Sequence, residues 1–337
     1  MKENMSVNKV IYSRIIKDLP PKQQKVVLRR FGLETGQKET LESIGRSFGI
    51  TRERVRQIEA DALERISKKK NDKSLQNIFS DIKNYLDQYG GVKKEDVILS
   101  DLGKGSYDNY IHFSLVIGDN FHHHSDTGEI YSFWASRKDL VDKAKNLLND
   151  LIKNVQRENR LLDKKEFQKI SPEKNIKLVN SLLEVSKKLA KSPLGYFGLT
   201  NWPEVKPKGV RDRAYLALKK VNKPLHFREI AEEAGSIEIP GIGLKKAYPQ
   251  TVHNELIKDQ RFVLVGRGMY GLKEWGYLPG TVKNVIAKIL EGKNGLAKEE
   301  IVKEVKNQRL VKENTILLNL QDKKLFSKDS QGKYYLV

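Results

Sequence analysis

Four side chains within one short run, Arg52, Glu53, Arg56 and Gln57, carry hydrogen-bonding groups that fit the edges of base pairs. A guanidinium can hold guanine O6 and N7 together, a glutamate can accept from the cytosine amino group, and a glutamine can pair with adenine N6 and N7. Around them lie Thr51, Arg46, Arg54 and Arg65. These have the chemistry of phosphate contacts, which position a protein on a duplex without specifying sequence. The set works only if one helix turns the first four outward together.

The neighbouring residues supply that helix. Val55, Ile58, Ala62 and Ile66 recur at i, i+3, i+7 and i+11, so they form an inner face and leave the polar set outside. Thr51 caps the start, and Phe48-Gly49-Ile50 makes a turn whose glycine suits a positive φ. Before the turn, Thr40 caps a short helix in which Leu41, Ile44 and Phe48 share a face. Further back, Leu19-Pro20-Pro21 breaks the chain, and Pro21 opens a helix to Phe31 with Val26, Val27 and Phe31 inward. Residues 40–66 are thus expected to be a helix-turn-helix whose second helix enters the major groove by its N-terminal half. The alternative is a generic helix-turn-helix with arginines that are only a solvated face.

The runs Leu19-Pro-Pro-Lys-Gln-Gln, Arg30-Phe31-Gly32-Leu33, Thr40-Leu41-Glu42-Ser43-Ile44-Gly45 and Thr51 to Ala60 resemble region 4 of the sigma-70 family over about residues 15–68. The resemblance implies that Arg52, Glu53 and Gln57 read a minus-35 promoter element. It also implies that the Pro20 to Leu33 side sits near the flap of the RNA polymerase β subunit. The family's promoter-melting regions normally lie upstream, where only about 15 residues stand here. The expectation is therefore a regulator or accessory factor and not a complete sigma factor.

Composition agrees with a polyanionic partner. The 337 residues hold 63 Lys and Arg against 43 Asp and Glu, a net charge of +20, which favours capture of nucleic acid. No apolar run approaches the roughly 18 residues of a spanning helix, and no signal-peptide core opens the chain. We expect a cytoplasmic, nucleoid-associated protein without membrane contact. With no cysteine, disulfides, thiolate zinc sites and cysteine nucleophiles are excluded together.

Behind the basic run Lys68-Lys69-Lys70 the sequence reuses one plan: helix, short helix, longer helix, then a strand pair closing on an aromatic. Trp134, Trp202 and Trp275 mark three such ends, and Tyr334 to Val337 a fourth. The resulting fold class is mainly α with small β wings: a trihelical region-4-like head at 8–70 followed by tandem winged-helix units. Those units are expected at 75–136, 137–203 (helical or winged), 208–276 and 279–337. The stretch from Lys223 to Ala231 and from Thr251 through Leu272 resembles the HARE-HTH family, which includes the RNA polymerase delta subunit. From that unit come further candidate DNA contacts: Lys245, Lys246, Gln250, Thr251 and Asn254 near its third helix and Arg267 in its wing.

Three other motifs invite chemistry that their settings do not favour. Gly266 to Gly271 satisfies G-x-G-x-x-G but falls between strand-like runs instead of opening a helix. In His122-His123-His124 only the outer two share a strand face, with no carboxylate evident beside them. Glu304-Val305-Lys306 lacks the acidic partner of a nuclease motif. No enzyme activity, cofactor or metal is expected. The expected partners are promoter duplex DNA and RNA polymerase. Two alternatives stay open: a delta-like polymerase-associated protein that reads no sequence, and the DNA-targeting subunit of a restriction or defence system.

Overall fold

A computed structural model describes residues 9–69, 71–239 and 241–337. Residues 8 and 70, the expected limits of the head, and with Lys70 the end of the basic run, lie outside the described residues. The chain forms two compact units: one runs to Ala190 and takes in Phe197–Leu199, and the other contains Lys191–Tyr196 and Thr200–Val337. Both are mainly helical with small antiparallel sheets.

The first unit opens with α1 (Lys9–Lys17), α2 (Pro21–Phe31), α3 (Leu41–Phe48) and α4 (Arg52–Ser67). It continues through α5 (Lys73–Gln88), β1 (Val92–Lys94), α6 (Glu95–Gly103), α7 (Asp108–Ile117), β2 (His122–His124) and β3 (Phe133–Ala135). The three strands order β1-β3-β2, with His123 opposite Trp134 and Lys93 opposite Trp134 on the other side. Then follow α8 (Lys138–Glu158), α9 (Lys164–Ile170), α10 (Ile176–Val185), β4 (Leu189–Lys191) and β5 (Phe197–Leu199).

One apolar core crosses the border at which the sequence suggests two modules. Tyr12, Ile15, Ile16, Leu19, Val27, Phe31, Leu33, Ala62 and Ile66 are buried together with Leu75, Ile78, Ile82, Ile111, Phe113 and Trp134. The physical reason lies in α7. Its Phe113 sits edge-on against Phe31 at 4.9 Å, and its neighbour Tyr110 lies 5.0 Å from Tyr12. Beside them the Tyr12 hydroxyl hydrogen-bonds Ser114 at 2.6 Å. Apolar residues read as the inside of a separate 75–136 unit therefore complete the head instead. The same helix grips the loop between α2 and α3 by its backbone: Asn109 Nδ2 donates to the carbonyls of Gly32 (3.0 Å) and Gly36 (2.8 Å), and the Tyr110 hydroxyl to that of Leu33 (2.6 Å).

Residues 137–190 are likewise joined to what precedes them. Lys93, 6% exposed, pairs with Glu184 of α10 at 2.7 Å, and Tyr131 donates its amide to the Val185 carbonyl at 2.8 Å.

The second unit contains two cores. The first gathers α11 (Val210–Val221), α12 (Phe227–Gly235) and α13 (Pro249–Lys258) over the sheet β6 (Leu225–His226), β8 (Met269–Leu272), β7 (Phe262–Gly266), and includes Leu216, Leu218, Ile230, Val252, Leu256 and Leu272. The second is built by α14 (Val282–Leu290), α15 (Lys298–Gln308), α16 (Glu313–Leu320) and the hairpin β9 (Phe326–Lys328), β10 (Tyr334–Leu336), around Ile286, Ile301, Val305 and Ile316. The G-x-G-x-x-G run forms the end of β7, a turn with Gly268 at φ 70° and the start of β8, so it opens no helix.

Candidate nucleic-acid interface

The local chemistry that positions α4 begins with its two caps. Thr40 accepts from the Ser43 amide at 3.1 Å and Thr51 from the Arg54 amide at 3.2 Å, each satisfying an orphan donor of a helix start. Between the helices Gly49 takes φ 64°, the left-handed conformation expected of it, and the Ile50 amide reaches back to the Gly45 carbonyl at 3.0 Å. Gly45 has a role that apolar periodicity does not reveal. A Cβ there would stand 2.7 Å from the Ile50 carbonyl oxygen, so only glycine lets the turn fold back so closely on α3.

The inner face of α4 is the expected one, and it serves two cores. Val55 and Ile58 are buried with Val26 and Ile44, while Ala62 and Ile66 belong to the core shared with α1, α5 and α7. This support leaves Arg52, Glu53, Arg54, Arg56 and Gln57 exposed along the outer side.

Those residues are not equivalent. Arg52 has no hydrogen-bond or ion-pair partner among the described residues, so its whole guanidinium fork is available. Glu53 is held through both oxygens by Arg56, at 2.7 and 2.9 Å, which keeps its carboxyl below the ordinary range and the guanidinium above its own. Arg54, assigned to phosphate on sequence grounds, donates to Gln57, assigned to a base, at 2.9 Å. Base and phosphate candidates are thus paired along the helix, and Glu53, Arg56 and Gln57 must exchange these partners to meet a base.

At the start of α3 a hollow is lined by Arg29, Thr40, Glu42, Ser43, Arg46 and Ser47. Arg46 is paired with Glu42 at 2.6 Å. Arg29, which the sequence reading missed, donates twice to Glu39 at 2.7 Å and to the Ser47 hydroxyl at 2.5 Å. Arg29 and Ser43 together hold the Glu39 carboxyl down at about 2. Both guanidinia are held by carboxylates, Arg29 by Glu39 and Arg46 by Glu42, so each must exchange that partner to meet a phosphate oxygen. Arg65 lies toward the opposite end of α4 in a hollow shared with Asp18, Asp61, Glu64, Lys68 and Lys69, so acids temper its charge.

In the second unit Lys245 and Lys246 occupy the exposed lead into α13, and Gln250, Thr251 and Asn254 its exposed side. Gln250 meets Asn254 at 3.3 Å, and Arg267 is exposed in the β7–β8 turn. Of the histidine run, His123 bonds a carboxylate, Glu95, at 2.6 Å; Glu95 also lies 3.8 Å from His112, which burial pushes down to about 4. The sequence distance between Glu95 and His123 hid that contact.

Two capped helices joined through a left-handed glycine, the second carrying guanidinium and amide groups outward, define a helix-turn-helix. Residues 15–68 match the family described as Sigma-70, region 4. Over 74 residues the chain is 43% identical to the RNA polymerase sigma factor SigA of Clostridium acetobutylicum, covering 22% of this chain and 18% of that protein. Over 63 residues it is 43% identical to SigA of Listeria monocytogenes, covering 19% and 17%. Over 56 residues it is 45% identical to the sigma factor RpoD of Neisseria gonorrhoeae, covering 17% and 9%. The chain thus spans less than a fifth of the length of these relatives. Among the described residues no helix is long and apolar enough to cross a membrane.

Proposed function

We propose that this chain is a sequence-specific DNA-binding transcription factor whose α4 reads a promoter element of the minus-35 type. Arg52, Glu53, Arg56 and Gln57 meet base edges, while Thr51, Arg46, Arg54 and Arg65 meet phosphates, with Arg29 added to that second group. The observation that carries this reading is the unpartnered Arg52 fork on the first turn of a capped, well-supported helix, inside the stretch that matches region 4. The net charge of +20 supplies salt-sensitive affinity.

The chain acts as a regulator or accessory factor of RNA polymerase and performs no catalysis of its own. Its contact with the polymerase flap runs along the Pro20 to Leu33 side. The apolar residues of that side, Val27, Phe31 and Leu33, are buried in the chain's own core, which leaves the contact to the exposed Pro20, Pro21, Lys22 and Lys25. The stretches 208–276 and 279–337 act as winged helices, the former of the HARE-HTH kind, and add DNA contacts through Lys245, Lys246, Gln250, Thr251, Asn254 and Arg267. Three helices and a hairpin over a separate core in each stretch support that reading.

Binding-site selection from random duplexes tests the proposal. The whole chain should return a defined motif, and Arg52→Ala and Gln57→Ala should each lose about 1–3 kcal/mol of discrimination at one position while weakening nonspecific binding less. A motif unchanged in both variants would refute the assigned reader.

A further inference from the structure

The second unit carries an exposed apolar surface that its own core leaves out. Between α12 and α13 the chain turns at Gly241 and Gly243, with φ of 79° and 84°. Ile239 and Gly243 exchange two backbone hydrogen bonds of 3.0 and 2.9 Å across that turn. The feet of the loop are anchored: Ile237, Ile239 and Ala247 are buried, and Arg213, 2% exposed, donates from Nη1 to the Ala234 carbonyl at 2.9 Å and to that of Lys245. Fixed in this way, the loop holds Ile242 and Leu244 outward, each 71% exposed, with Tyr248 beside them at 60%. Large apolar side chains clustered in water mark a contact surface.

Their neighbours say what the surface contacts. From Gly241 to Asn254 there is no acidic residue. Lys245 and Lys246 form no ion pair with a described residue, and Lys246 rests over the Tyr248 ring at 5.1 Å. The exposed amides and hydroxyl of Gln250, Thr251 and Asn254 follow directly. The exposed Glu238 stands before the tip and both cations after it, so the basic side is the Lys245–Lys246 side. An apolar tip with cations beside it suits a polyanion whose interior is apolar, which describes stacked base pairs next to a phosphate rail.

We propose that residues 241–248 form a wedge for double-stranded DNA. Ile242 and Leu244 enter a base step from the minor groove and partly unstack it, while Lys245 and Lys246 hold the flanking phosphates. This deepens the reading of the chain as a DNA-binding protein and is independent of the sequence that α4 selects.

The test uses the whole chain and a duplex without a selected motif, carrying 2-aminopurine at a central TA step and a fluorophore pair at its ends. Wild-type protein should raise the 2-aminopurine fluorescence several-fold and shorten the end-to-end distance. The double variant Ile242→Ser, Leu244→Ser, altered only at exposed positions, should lose both signals. Lys245→Gln with Lys246→Gln should keep both at low salt and reduce the slope of log affinity against log salt by about 2. Wild-type protein that leaves the fluorescence unchanged, or a serine variant that unstacks and bends as well as wild type, overturns the wedge. Should Arg52→Ala and Gln57→Ala leave the selected motif unchanged while the serine variant still loses its signals, the α4 reader falls and the wedge stands.

Discussion

Helix α4 follows a short turn and α13 a long anchored loop; each exposes one side, yet the two surfaces are opposites. On α4 the outer side is a lattice of guanidinium, carboxylate and amide, with Glu53 held by Arg56 and Gln57 by Arg54. At α13 the lead-in is apolar and basic, with no acid from Gly241 to Asn254. Their foundations differ as well, since α4 rests on two cores, one of them shared with α1, α5 and α7, whereas α13 closes a core of its own. The difference follows from the physics of the contacts. Hydrogen bonds weaken steeply when donor and acceptor are misaligned, so a polar reading surface needs firm support. Apolar burial is non-directional and tolerates a lighter frame.

The shared core is where this comparison is most exposed to refutation. Phe113→Ala removes a side chain with no exposure from α7 and should cost about 3–5 kcal/mol, lowering the unfolding midpoint of the head and of residues 73–135 together. Chemical denaturation followed by hydrogen exchange would show one transition, and a head that unfolds separately breaks the account. The equivalent cut in the C-terminal core, Ile301→Ala, should leave that transition where it was. Next in size is Gly45→Val, which drives a side chain into the Ile50 carbonyl and should cost about 1–3 kcal/mol of stability, with weaker DNA binding. Gly45→Ala should follow in the same direction with a smaller effect. Thr51→Ala removes the cap of α4 at a cost of about 1 kcal/mol and should loosen the Arg52 turn more than the rest of the helix, as amide exchange at Arg54 would report.

The smallest effect is electrostatic. Glu39 titrates at about 2 because Arg29 and Ser43 stabilise its charged form. A lowered carboxyl value means that the pairing favours the fold above the ordinary glutamate range and that this contribution is lost as pH falls through it toward 2. Arg29→Gln should move the carbon-detected titration of Glu39 back toward the ordinary value, and a curve that stays near 2 contradicts the pairing.

The sequence made the head legible because caps, glycine and apolar spacing agree there. Thr40, Thr51, Gly49 and the row Val55, Ile58, Ala62, Ile66 all do what local rules assign to them. What stayed hidden depends on distant contacts. Nothing local says that Tyr110 and Phe113 face Tyr12 and Phe31, some 80 or more residues away, and not a unit of their own. Trp134, read as the closing mark of a separate module, is a member of the common core. The pairing of Arg29 with Glu39 escaped because a loop brings them together, and Arg54 with Gln57 because residue type alone assigned them different roles. Gly45 escaped because a glycine within a helix signals weakness until its neighbour across the turn is known.

The grip of α7 on the loop between α2 and α3 has a consequence for how freely that loop can change. Asn109 and Tyr110 hold Gly32, Leu33 and Gly36 by their carbonyl oxygens, so beyond the buried Leu33 the loop is specified more by its path than by its side chains. Gly32 is the most tightly fixed in identity, because a Cβ would stand 2.6 Å from the Gln37 backbone in a left-handed position, and Gly36 at φ 77° shares the backbone requirement without the crowding. Glu34, Thr35 and Gln37 are exposed, which makes this segment a place where a label or a peptide tag can be mounted a few residues from α3 without moving the helix-turn-helix.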